Sequence, residues 1–185
     1  MARDTRQRIL DAALAMFNTQ GEPHVTTNHI ADELEISPGN LYYHFRNKDD
    51  IIEQLFAVYE QRMDTALVAP SGRLPGLEDV WLQLHLVFEC IWDYRFLYRD
   101  LVDILSRNRR LRMRFARILK RADDSAHQVM RGLTQAGVMR ASPDEVDAAS
   151  TNILVIATFW MNYASARGDK DERASIRDGI VQVMM

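Results

Sequence analysis

The sequence predicts an all-α protein: a small N-terminal helical unit, residues 1–48, followed by a larger helical domain, residues 49–185. Three observations carry that reading. Apolar residues recur at three- and four-residue spacing in almost every segment, and no segment alternates apolar with polar as a half-buried strand does. Val68 to Gly76 (VAPSGRLPG) breaks the pattern with two prolines and two glycines in nine residues. The 185 residues, 47% hydrophobic and 26% charged, are enough to bury a core and exclude a disordered or fibrous chain.

Each helix carries its own punctuation. Ile9, Ala13, Met16 and Phe17 line the apolar face of a first helix that Gly21 closes. Thr26 and Thr27 supply N-cap chemistry for a short second helix whose apolar positions are Ile30, Ala31 and Leu34. Ser37-Pro38 opens a third, a hydroxyl cap followed by proline at the first helical position. Asn47 caps a fourth, with Asp49 and Asp50 in its first turn opposing the helix dipole; it connects the two units and ends near Leu67. Beyond the break, helices are expected over Leu77–Tyr94, Phe96–Ser106 and from Arg109 to near Gly137. Ser142-Pro143-Asp144-Glu145 is a capping box for the next, which ends near Gly168; a last helix starts near Asp171. It stops inside the apolar run Ile180–Met185, so the native chain is expected to continue beyond Met185.

Composition narrows the function classes. The net charge of −3 gives no bulk sign of nucleic-acid binding. Charge is nonetheless uneven: residues 49–94 hold nine acidic and two basic groups, residues 95–121 ten basic and two acidic. Arg107, Arg110, Arg114, Arg117 and Arg121 recur at helical spacing, which reads as a solvated stripe rather than a nucleic-acid patch. The lone Cys90 leaves no intramolecular disulfide and no cysteine-based metal site. His24, His29, His44, His85 and His127 lack metal-ligand spacing, and there is no phosphate-binding glycine loop or nucleophile elbow. Neither an enzyme nor a cofactor is expected. Ala148–Ala166 holds nineteen uncharged residues, but its six Ser, Thr and Asn residues point to a buried or inter-subunit helix, not a membrane span. With no apolar signal-peptide core at the start, a cytoplasmic protein is expected.

Residues 26–48, TTNHIADELEISPGNLYYHFRNK, carry the functional reading. Two short helices meet at a three- to four-residue turn, and the small Ala31 lets the second cross close over the first. This is helix-turn-helix packing, whose second helix commonly lies in the major groove. Tyr42, Tyr43 and His44 follow one another and cannot all face inward. Hydroxyl and imidazole groups on a helix capped by Ser37 suit phosphate and base-edge contacts.

The run Thr26-Thr27, Ile30-Ala31, Ser37, Gly39, Leu41-Tyr42-Tyr43-His44-Phe45 and Lys48 resembles the DNA-binding domain of TetR-type (tetracycline-repressor-like) regulators over about residues 5–55. The resemblance implies a phosphate contact at Thr27 and a recognition helix led by Ser37, Pro38 and Gly39. It implies phosphate contacts at Tyr42, His44 and Lys48, a base-facing Tyr43, and core roles for Leu41 and Phe45. Glu35 stands where the family often has glycine, in a position tending to the left-handed region, and Asn28 where arginine is frequent.

The family also implies a homodimer on a near-palindromic operator, paired through its last two helices. Ile153, Ile156, Trp160 and Tyr163, with Ile176, Ile180 and Val183, are the expected interface. The middle helices are expected to hold an apolar effector pocket lined by Trp81, His85, Phe88, Trp92, Phe96, Tyr98, Phe115 and Met130. An acidic head group on such an effector would find Arg95, Arg99 or Arg112. The leading reading is thus a dimeric repressor released from double-stranded operator DNA by a small apolar or amphipathic molecule. The alternative is a helical ligand carrier or interaction protein whose DNA-reading surface has decayed, as Glu35 and Asn28 would suggest.

Overall fold

The structure, a computed structural model, describes residues 2–69, 72–169 and 171–184. Among them are ten α-helices, a 3-10 turn and no strand. The helices are α1 (Ala2–Gln20), α2 (Thr27–Glu33), α3 (Pro38–His44), α4 (Lys48–Ala66), α5 (Leu77–Asp93), α6 (Arg95–Arg99), α7 (Leu101–Arg107), α8 (Arg109–Gln135), α9 (Pro143–Arg167) and α10 (Glu172–Met184). Pro70 and Ser71, inside the expected break, and Met185, at the end of the final apolar run, lie outside the described residues.

The expected caps form. Thr26, Ser37, Asn47 and Ser142 each accept a backbone N–H three residues on. One expected helix, Phe96–Ser106, divides into α6 and α7 at Asp100. There the Phe96 N–H goes to the Asn18 side chain (3.1 Å) and an Asp100 carboxylate oxygen accepts the Glu22 N–H (3.3 Å). Docking against α1 and the 3-10 turn (Glu22–His24) thus fixes the bend.

Ile9, Ala13, Phe17, Val25, Ile30, Ala31, Leu41 and Phe45 form the core of the N-terminal unit. That core runs without a gap through Ile52, Leu55, Phe56 and Tyr59 of α4 into the larger bundle. The opposed charge blocks meet along α4. Arg110 pairs with Glu53, Arg114 with Glu60 (2.6 Å), and Arg121 with Asp64 (2.7 Å). The arginine stripe is therefore not merely solvated: it binds α8 to the acidic face of α4, and Arg107 reaches Glu22 at 2.7 Å.

α9 and α10 pack together closely enough that a Cβ on Gly179 would stand 2.7 Å from Phe88 and 2.8 Å from Trp160. The residues of the expected interface divide. Trp160, Ile176 and Ile180 are buried inside the chain, and the Trp160 indole N–H donates to the Ser175 carbonyl at 2.6 Å. Ile153 and Val183 line an interior cavity, and Ile156 is half-buried against the core. Of the seven only Tyr163 faces out, beside Val155 and Phe159 of α9; Val181 and Met184 of α10 are also exposed. No described helix is long and apolar enough to cross a membrane.

Candidate nucleic-acid interface and interior cavity

α2 and α3 are held by short-range chemistry. The Thr26 hydroxyl accepts the His29 N–H at 3.2 Å while a His29 ring nitrogen accepts the Thr26 N–H at 3.4 Å, a capping box with histidine in the usual Glu position. Ser37 Oγ accepts the Asn40 N–H at 3.1 Å. Between them Glu35 sits at φ 54, in the left-handed region, among the described residues the only non-glycine at positive φ. Its N–H donates to Asp32 O (3.1 Å) and the Ile36 N–H to Ala31 O (3.0 Å), the double closure of a Schellman turn. The turn forms despite the side chain.

With Ile30, Ala31 and Leu41 buried beneath, α3 turns its other face to solvent. Ser37, Pro38, Gly39 and Asn40 are exposed, as are Tyr42 at 49% and Tyr43 at 80%; His44 is half-buried with its ring edge-on to Tyr43. The Thr27 and Tyr42 hydroxyls meet at 3.0 Å, tying the start of α2 to the middle of α3. Their shared bond uses one of two hydroxyl protons, leaving the other for an anion. Of the expected contact residues, Thr27, Ser37, Pro38, Gly39, Tyr42, Tyr43 and His44 thus share one open face. Asn40, three residues before Tyr43, is exposed beside them.

Lys48 departs from expectation. Its ammonium donates to the Glu22 and Val25 carbonyls, both at 3.0 Å, and pairs with the Glu22 carboxylate at 2.8 Å. Glu22 is fully buried and also holds Arg107. Lys48 therefore joins α4 to the 3-10 turn and, through Glu22, to α7, with its side chain 24% exposed.

An apolar cavity of about 130 Å³ lies between α4, α5, α6, α8 and α9, with Val183 of α10 at its edge. Tyr98, Phe115 and Met130 line it as expected; the other five expected residues do not. Trp81 is 52% exposed and stacks on His85, Phe88 is packed under α10, Trp92 carries the Arg95 guanidinium over its ring, and Phe96 meets Phe17. On α5 the lining is Gln83 with Val80, Leu84, Val87 and Ile91, the last four each one residue before Trp81, His85, Phe88 and Trp92. One residue is about 100° of helical rotation. Tyr59 and Met63 of α4 and Leu67 at its C-cap complete that wall. Arg95, Arg99 and Arg112 do not line the cavity; the Arg99 guanidinium donates to the Asn18 carbonyl at 2.7 Å. Among the described residues no group of His, Cys, Asp and Glu could hold a metal ion.

Comparison with known proteins adds the following. Residues 9–55 match the family described as "Bacterial regulatory proteins, tetR family", and residues 58–185 the one described as "Bacterial transcriptional repressor". A crystal structure of a TetR-family transcriptional regulator from Marinobacter aquaeolei is 40% identical, with a TM-score of 0.89, covering 97% of this chain and 87% of that one. The regulator AcrR of Shigella flexneri is 31% identical over 75 residues, a match spanning 40% of this chain but only 35% of AcrR. A regulator from Saccharomonospora viridis, solved with choline, shares the fold at 19% identity with a TM-score of 0.73, covering 98% of this chain and 94% of that one.

Proposed function

The chain belongs to the TetR family of bacterial transcriptional regulators, and from that premise we propose that it is a ligand-responsive repressor acting as a homodimer on palindromic operator DNA. In this reading residues 1–48 read DNA and residues 49–185 bind effector and partner, with α4 as the lever between them. Its relatives are transcriptional regulators rather than enzymes, and a chromosomal operator implies a cytoplasmic protein.

The observation that carries the reading is the exposed face of α3, where Tyr43 stands almost fully in solvent over a buried Leu41. A tyrosine this exposed, meeting only the His44 ring, suits a partner surface, and its ring suits bases or thymine methyls. The alternative of a decayed reading head loses its main support, because Glu35 adopts the left-handed turn that the motif needs.

Effector control follows from α4. Lys48 at its start is clamped to the DNA-reading unit, while Tyr59, Met63 and Leu67 line the cavity. A helix of this length is about 28 Å long, enough to carry a shift from one end to the other. An effector acts only through its different affinities for the two conformations.

The test is a fluorescence anisotropy titration, at two salt concentrations, against DNA from immediately upstream of the protein's own gene and a scrambled control. Salt-sensitive binding specific to the upstream DNA is expected, with Tyr43→Ala weakening it and leaving helicity intact. Equal binding to both DNAs, or no effect of Tyr43→Ala, would remove α3 from sequence recognition.

A further inference from the structure

The cavity wall contains no ionised side chain; its polar members are Tyr59, Gln83, Tyr98, Ser125 and Thr158. One Gln83 amide N–H donates to Ser125 Oγ at 3.0 Å, and that hydroxyl donates to the Leu67 carbonyl at 2.8 Å. The tyrosines differ. Their hydroxyls bond each other at 2.6 Å, both rings are buried, and both line the cavity. Two phenols carry two protons and a single bond between them uses one. Among the described residues no acceptor meets the second. A buried donor without an acceptor is costly, and here the cavity lies beside it.

We propose that the cavity takes a neutral, mainly apolar small molecule that offers one hydrogen-bond-accepting oxygen to the Tyr59–Tyr98 pair. The proposal rests on the reading of this cavity as the effector site.

Charge excludes the other classes. Burial pushes both phenols above their ordinary pKa, so the pair stays protonated and acts as a donor. An anion would have no cation to meet, since neither Arg95, Arg99 nor Arg112 reaches the wall, and an unpaired buried charge is far costlier than a buried carbonyl. A quaternary ammonium would want open aromatic faces. Instead Tyr98 packs edge-on to both Tyr59 and Phe115, at 6.1 and 6.2 Å. The small volume favours a single ring or a short chain.

The experiment compares matched probes by titration calorimetry on the full chain. Acetophenone is set against its hydrocarbon isostere cumene, the anion benzoate and the cation 1-phenylethylammonium. The linear set 2-octanone, 2-methyl-1-octene, octanoate and octylammonium is run in parallel, so that one cavity shape does not decide the outcome. At least one ketone is expected to bind roughly fivefold to a hundredfold tighter than its isostere, with neither ion competing. In the double variant Tyr59→Phe, Tyr98→Phe that preference is expected to vanish while hydrocarbon binding persists, which also reports that the variant is folded.

Several results would overturn the proposal. An ion binding as tightly as the ketone would do so, as would a ketone preference surviving in the double variant or no neutral probe binding at all. The wild-type comparison suffices for the first and third if the variant does not fold. Anisotropy against the upstream DNA is measured alongside. Retained DNA binding with no neutral probe bound would discard this ligand class and keep the regulator, whereas loss of DNA recognition would strike the regulator reading itself.

Discussion

Gly39 occupies the second position of α3 although nothing inside the chain demands glycine there. Its backbone is helical, and an added Cβ would meet only Ser37 Oγ, at 3.9 Å. A helical glycine costs stability relative to alanine, so in the proposed reading its role lies outside the subunit, where a missing side chain lets DNA approach. Gly39→Ala is therefore expected to have effects of opposite sign. Resistance to urea should rise by about 0.5 kcal/mol, while operator affinity falls about tenfold, or about 1.4 kcal/mol. A variant that binds DNA as well as wild type would make Gly39 a bystander. Glu35 is the contrasting residue: its left-handed conformation costs roughly 1 kcal/mol that a glycine would not, yet the turn's hydrogen bonds hold it. Both residues were legible in the sequence because caps and turns are decided within about four residues.

Helices were legible as elements, but their rotation and partners were not. On α5 the apolar residues wrap most of the circumference, so pattern alone did not tell the Val80–Ile91 face from the Trp81–Trp92 face. The larger residues looked like better pocket walls; packing set them outward or against α10. The same blindness affected Lys48, whose partners Glu22 and Val25 lie 26 and 23 positions away in the chain, Glu22 being shared with Arg107. The resulting clamp holds three elements together. It complements Asn18, which bonds the Asp93 carbonyl and the Phe96 N–H and so ties α1 to the ends of α5 and α6. Since Tyr98 of α6 lines the cavity, α6 touches the cavity and the N-terminal unit at once.

Lys48→Met separates the clamp from a phosphate contact. Losing the ammonium leaves Glu22 buried with Arg107 alone. The expected loss in chemical unfolding is about 2–3 kcal/mol, below the ~3–5 of a fully buried pair because both cations are partly solvated. The slope of log operator affinity against log salt should be unchanged. A slope reduced by about 0.9 per reading head would return Lys48 to the DNA.

At the scale of the whole molecule, an unpartnered apolar surface remains. Val155, Phe159 and Tyr163 lie at four-residue spacing along one face of α9, exposed at 53, 46 and 55%, and Val181 and Met184 are exposed on the neighbouring α10. An operator with two half-sites needs two reading heads in fixed register, and we propose this face for the second copy, since Trp160, Ile176 and Ile180 are satisfied internally. The distinction has a consequence for mutation. Trp160→Glu would strand a carboxylate between α9 and α10, where the indole now bonds Ser175, and so should unfold the subunit rather than split a dimer. Phe159→Glu puts the same charge on the outer face. Its sedimentation mass should fall by half with helicity retained. Operator affinity should drop by about 10²–10⁴, the advantage lost when two linked heads bind independently. A variant that stays dimeric would move the interface off α9, whereas a monomer that still binds with full affinity would show that one head reads the operator alone.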